Sequence, residues 1–156
     1  MRILYVGFKG KNNTSFQLVS ALGGEHLFLT NSFAGVAQDI EAIKSAYDLV
    51  ILFGLDKNLS GSVRIENRAE LQGNTRSTKC DADQIAEVFG RNEVRCEISE
   101  RLSHYLCNHA YYRILQKTNG NAILIHIPGN RYMTDDLMEG IVRSVGGLPC
   151  PSFQNR

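Results

Sequence analysis

The chain has 156 residues, 43% of them hydrophobic and 21% charged, with 17 Lys and Arg against 16 Asp and Glu. Enough apolar material is present for a core, so a disordered chain is excluded, and a formal charge of +1 supplies no global field to steer nucleic acid or an acidic membrane surface. The length fits one domain over residues 1–156, and function has to be sought in a local site.

In chain order, Arg2 to Val6 predicts a short buried strand stopped by Gly7, and Thr14 or Ser15 stands ready to cap a helix over Phe16 to Leu22. His26 to Leu29 predicts a second strand. After it Phe33, Val36, Ala37, Ile40, Ile43 and Tyr47 recur at helical spacing. Asp48 to Gly54 (DLVILFG) reads as a central strand with both faces buried. From Gly54 to Thr78 the chain turns polar, with a weak alternation at Ser62 to Ala69 that predicts an edge strand or hairpin arm on a loop-bearing active face. Asp81 caps a helix through Phe89, Glu93 to Ile98 alternates as a strand, and Tyr105 to Lys117 is helical by pattern. Asn119-Gly120 marks a turn before Ala122 to Ile127 (AILIHI), a strand as apolar as DLVILF, and Thr134 caps a last amphipathic helix. Strands alternating with helices predict a three-layer α/β/α sandwich around a mostly parallel central sheet, with the ligand site at the carboxyl ends of the strands.

The apolar opening before Gly7 is too short for a signal-peptide core, and no stretch approaches the length of a membrane span. Cys80, Cys96, Cys107 and Cys150 form no CxxC pair, and the histidines lack ligand spacing, so no metal site and no cofactor are expected. The expected setting is the reducing cytoplasm. Gly7, Gly10 and Lys11 lie between a strand and a helix but do not make a phosphate loop: two residues separate the glycines and Asn12 follows the lysine.

Three residues fall where chemistry is expected: Glu66 in the polar segment, Cys107 at a helix start, and His126 at the end of AILIHI. A first-turn cysteine feels the positive end of the helix dipole, which favours thiolate. If His126 faces Cys107, it generates that thiolate and later protonates a leaving amine, while Glu66 holds the ring. Each has a plainer reading on its own: apolar filler, a satisfied core histidine, a solvated surface carboxylate. His104 and His109 flank Cys107 as rival bases. His109, two residues along the helix, is expected to point away from the thiol, and His104, ahead of the cap, stays a candidate.

Tyr105-Leu106-Cys107-Asn108 followed by Tyr112 and Leu115, with Ile125-His126-Ile127-Pro128 after the turn, resembles the nucleophile and histidine signatures of pyroglutamyl peptidase I, or pyrrolidone-carboxylate peptidase. Ile65-Glu66-Asn67-Arg68-Ala69 is similar, more weakly, to the family's glutamate motif ERVAIN, and Gly7-Phe8 and Asn13-Thr14-Ser15 are similar to its opening strand-turn and NPS. The resemblance runs from Met1 to about Val145. It implies Cys107 as nucleophile, His126 as general base and acid, and Glu66 as orienting carboxylate. It further implies Arg76, ten residues after Glu66, as a substrate or oxyanion ligand, with Phe8 and Asn13 as first-loop substrate contacts. The backbone N–H of Cys107 would be a second oxyanion donor.

The first loop is shorter than the family's GFDPFGG and lacks its second phenylalanine, and Leu55-Asp56-Lys57 replaces a Gly-rich turn. The expected activity is that of a cysteine peptidase or amidase removing an N-terminal pyroglutamyl or similar small cyclic acyl group through a thioester. The expected partner is a small peptide or amide substrate, with self-association into homo-oligomers as the resemblance implies, and without nucleic acid or membrane. The alternative is a non-catalytic homologue that keeps the fold as a binding or assembly module.

Overall fold

A computed structural model describes residues 1–102 and 105–148. The strands are β1 (Ile3–Phe8), β2 (Glu25–Leu29), β3 (Leu49–Asp56), β4 (Ser62–Glu66), β5 (Arg68–Leu71), β6 (Asn74–Ser77), β7 (Arg95–Ile98) and β8 (Ala122–Pro128). The helices are α1 (Thr14–Ala21), α2 (Phe33–Glu41), α3 (Ala82–Arg91), α4 (Leu106–Lys117) and α5 (Asp135–Val145). The two most apolar runs, β3 and β8, lie side by side at the centre of a six-stranded sheet of order β2-β1-β3-β8-β4-β7.

Strands β2, β1, β3 and β8 run parallel, β4 runs antiparallel to β8, and β7 follows β4. Side chains alternate across the pleat, so each strand feeds two cores. Ile51, Phe53, Val63, Ile65, Ile123 and Ile125 face α1, α3 and α5 on one side. On the other, Leu4, Val6, Leu52 and Leu124 face α2 and α4. The result is the expected three-layer α/β/α sandwich around a mostly parallel sheet. A separate two-stranded hairpin, β5–β6, packs on α4 through buried Ala69.

Strands β1 and β3 run on past the glycines expected to end them, Gly7 and Gly54, to Phe8 and Asp56, and three further elements differ from the sequence expectation. The weak alternating run divides: Arg68 and Ala69 open β5, a hairpin arm as expected, but β4 is interior rather than an edge, flanked by β8 and β7, because Val63 and Ile65 supply one core while Arg64 and Glu66 are neutralised on the opposite face. Helix α1 is capped by Asn13, whose side chain accepts from the Ser15 N–H at 2.9 Å. Thr14 instead donates its hydroxyl to the Pro128 carbonyl at 2.6 Å, tying the first loop to the end of β8. Helix α2 ends at Glu41, and Tyr47, which continues its spacing, places its ring under the Arg2 guanidinium at 4.6 Å.

Candidate active site

Cys107 is the second residue of α4, whose N-terminus points at the carboxyl ends of β3 and β8. Its cap residue Tyr105 makes no side-chain capping bond, and of the first-turn N–H groups that of Asn108 bonds the Tyr105 carbonyl at 3.0 Å while that of Cys107 is left toward the site. The N–H groups of Leu55 and Cys107 itself are directed at the sulfur. Burial is the larger effect and pushes the thiol up to about 11, and the carboxylates of Glu66 and Asp56 push the same way against the two N–H groups. The helix-terminus effect that favours thiolate is therefore outweighed by desolvation, and ionising Cys107 requires a base beside it.

That base is positioned by register. Gly54 of β3 pairs with His126 of β8, and the two share a sheet face with Arg64 and Glu66 of β4. A Cβ built on Gly54 would lie 2.7 Å from Cys107 Sγ and 3.2 Å from His126 Nε2, so thiol and imidazole both crowd the one residue of this strand without a side chain. On its other edge His126 Nδ1 lies 2.9 Å from Glu66 Oε1. Both residues are at least 96% buried.

Glu66 also accepts from Arg64 Nε at 2.9 Å, and the Ser99 hydroxyl, which donates to the Arg101 carbonyl at 2.8 Å, lies beside it. Burial raises its proton affinity, but the interactions with His126, Arg64 and Ser99 together outweigh that and hold it below the usual carboxylate range. An ionised Glu66 makes Nδ1 the donor of the His126 ring and leaves Nε2, on the edge of the ring that faces Gly54, with the lone pair. Arg64 Nη2, 3.4 Å from Nδ1, then faces another N–H, so that approach is a charge contact rather than a hydrogen bond. Its Nη1 is paired with Asp56 at 2.9 Å.

Two further residues of α4 fasten the nucleophile helix, Tyr111 to β4 and Asn108 to β5. Buried Tyr111 donates its hydroxyl to the Glu66 carbonyl at 2.7 Å. The Asn108 carboxamide accepts from the Glu70 N–H at 3.1 Å and donates to the Glu70 carbonyl at 2.7 Å, copying a β-bridge.

Of the residues singled out in the sequence, Cys107, His126 and Glu66 are brought together, and three others are placed elsewhere. Phe8 is buried in the core beneath α2 and α4, and Asn13 is occupied as the α1 cap. Arg76 sits in β6 with its guanidinium 5.5 Å from the Tyr112 ring centre, outside the cavity at Cys107. His109 accepts from Arg113 Nε at 2.8 Å and packs edge-on against Phe33, so it is engaged away from the thiol. His104 and Cys150 lie outside the described residues.

Gly54, Asp56, Arg64 and Ser99 escaped the sequence reading. A lone glycine within an otherwise large-residue strand was the available signal for Gly54; for Arg64 it was a charge inside an alternating run.

The cavity at Cys107 has a volume of about 850 Å³ and is walled by the end of β3 (Leu55 to Asn58), by Arg64, and by the segment from Glu97 to Leu102 with Tyr105. Among the described residues, no group of His, Cys, Asp and Glu has a metal-holding arrangement, and no helix is long and apolar enough to cross a membrane.

An α/β/α sandwich with a cysteine at a helix N-terminus and a buried Glu-His pair beside it defines the class of fold. The chain has a pyroglutamyl peptidase I-like fold. It is similar to a variant pyrrolidone carboxyl peptidase from Pyrococcus furiosus, with TM-score 0.75, 17% identity, and coverage of 94% of this chain and 97% of the other. The pyrrolidone carboxyl peptidase of Fervidobacterium islandicum gives TM-score 0.74 at 18% identity over 94% and 95% of the two chains. Bacillus amyloliquefaciens pyroglutamyl peptidase I gives 0.72 at 16% over 92% and 94%. No protein-family model and no curated protein matches the sequence.

Proposed function

We propose that the protein is a cysteine peptidase or amidase that removes an N-terminal pyroglutamyl or similar small cyclic acyl group from a peptide or amide. The reading is carried by one observation: Cys107 Sγ and His126 Nε2 converge over Gly54 while Nδ1 of the same ring is held by Glu66.

In the proposed reaction His126 Nε2 takes the thiol proton as sulfur attacks the acyl carbon. The developing oxyanion faces the N–H groups of Leu55 and Cys107, which already point at the sulfur. Imidazolium, stabilised by Glu66, gives its proton to the departing amine, and a thioester remains. Water, deprotonated by His126, adds to the thioester; the acid leaves and the thiol is restored. Because the thiol is costly to ionise alone, proton transfer to His126 accompanies attack rather than preceding it. The need for a reduced thiol suits a cytoplasmic enzyme.

The test is hydrolysis of a fluorogenic pyroglutamyl amide by the wild type and Cys107→Ser, beside alkylation of Cys107 by iodoacetamide. Turnover that vanishes in the variant supports the proposal. If neither turnover nor labelling of Cys107 faster than Cys96 is seen, the proposal fails, and a non-catalytic binding module becomes the better account.

A further inference from the structure

Arg64 has no part in the reaction just described, yet it is the most heavily engaged charged side chain near it. It projects from an interior strand directly opposite His126 in the β4–β8 ladder, with its side chain only a quarter exposed. Its guanidinium binds Asp56 at the end of β3 and Glu66 at the end of β4, both at 2.9 Å, and approaches His126 Nδ1 at 3.4 Å. Three strands thus converge on one cation.

We propose that Arg64 is a positioning residue that sets the charge balance against which Cys107 and His126 exchange their proton. The inference rests on the reading of those two residues as a working pair. Among the described residues, the charged groups packed around the pair are Asp56 from β3 and Arg64 and Glu66 from β4; α4 contributes Cys107 itself, and the segment after β7 contributes the neutral Ser99. Farther out, Lys57 and Arg101 oppose Glu97 and Glu100 along the cavity wall.

Two carboxylates against one guanidinium leave a single excess negative charge beside the imidazole. That charge matches one imidazolium, so the proton that leaves sulfur during attack has a compensated place on His126 from which it can pass to a leaving group. Without Arg64 the surroundings carry two uncompensated negative charges: imidazolium is held and thiolate is repelled. Without Asp56 the guanidinium cancels Glu66, and thiolate becomes easier to form. Arg64 also bonds Glu66 through Nε, which fixes the carboxylate toward Nδ1. Charge and orientation therefore come from one side chain on a rigid strand.

The experiment is the pH profile of Cys107 alkylation by iodoacetamide, followed by mass spectrometry of the Cys107 peptide, which needs no substrate. Arg64→Gln is expected to raise the labelling midpoint by about one pH unit, and Asp56→Asn to lower it by about half a unit or more, as expected for loss of a charge within a few ångströms. Arg64→Lys, which keeps the charge, is expected to stay near wild type. Asp56→Asn leaves Arg64 paired with Glu66, so it carries the test even if Arg64→Gln fails to fold. Midpoints within about 0.2 unit of wild type in the folded variants, or shifts of the opposite sign, overturn the proposal while leaving the enzyme reading intact. A Cys107 that labels no faster than Cys96 in the wild type overturns the reading beneath it, and this proposal with it.

Discussion

Gly54→Ala is a one-carbon perturbation at the point that the proposed nucleophile and base both crowd. Gly54 is an ordinary strand residue, without the left-handed backbone that would strain an alanine, so the effect is steric. The added carbon would stand 2.7 Å from Cys107 Sγ, 3.1 Å from His126 Cδ2 and 3.2 Å from Nε2. Ordinary contact distances are about 3.5–4.0 Å, so sulfur or α4 must retreat by about 1 Å. Overpacking on that scale costs about 1–3 kcal/mol of stability, or about 2–4 °C of melting temperature per kcal/mol at this chain length. Misplacing reacting groups by about 1 Å costs about a hundredfold in turnover. The assay pairs kcat/KM on the fluorogenic pyroglutamyl amide with the alkylation rate of Cys107 and a thermal melt. Gly90→Ala is the control: it lies in α3 with nothing within 4 Å of an added Cβ and is expected to stabilise by about 0.5–1 kcal/mol. If Gly54→Ala keeps both activity and labelling within twofold of wild type, the convergence of Cys107 and His126 over Gly54 is not what organises the site.

The other predictions concern the same constellation. Cys107→Ser and His126→Ala are each expected to abolish turnover with the fold intact. Glu66→Gln should retain more activity than either, and His109→Ala should fall within about threefold of wild type, measured on the same amide; a dominant loss in His109→Ala would reassign the base. Tyr111→Phe strands the buried Glu66 carbonyl and should lower stability by about 1–3 kcal/mol by urea unfolding. No change there would mean that the hydroxyl does not fasten α4 to β4.

Acid stability tests Glu66 separately. Its folded-state pKa lies below the ordinary value of 4.5, so the stabilisation is complete above that pH and is lost as pH falls through the lower folded value. The wild type should therefore lose stability below about pH 4.5, and Glu66→Gln should flatten that slope in unfolding curves across the interval. An unchanged slope would show that Glu66 is not held as a carboxylate.

Local pattern made much of this protein legible. Apolar runs marked β1, β3 and β8, though β1 and β3 continue past the glycines read as their ends, and amphipathic spacing with side-chain caps marked α3 and α5, because each of those signals is written within a few neighbouring residues. The order Glu66, Cys107, His126 was legible for the same reason: short strings such as YLCN and IHIP carry it. Composition alone showed no global charge to steer a polyanion and pointed to a local site.

What tertiary structure alone decided depends on contacts between residues far apart in the chain. Alternation in β4 was visible, but its insertion between β8 and β7, antiparallel to β8, was not, since strand order is set by which apolar faces find one another. That insertion brings Arg64 opposite His126 and makes Gly54 the gap that thiol and imidazole both crowd. It also left Phe8, Asn13 and Arg76 to a core, a cap and a helix contact outside the cavity. The state of Cys107 was decided the same way. Sequence places it at a helix N-terminus, which favours thiolate, whereas folding buries it beside two carboxylates, and desolvation in a low-dielectric interior outweighs the field of one helix end.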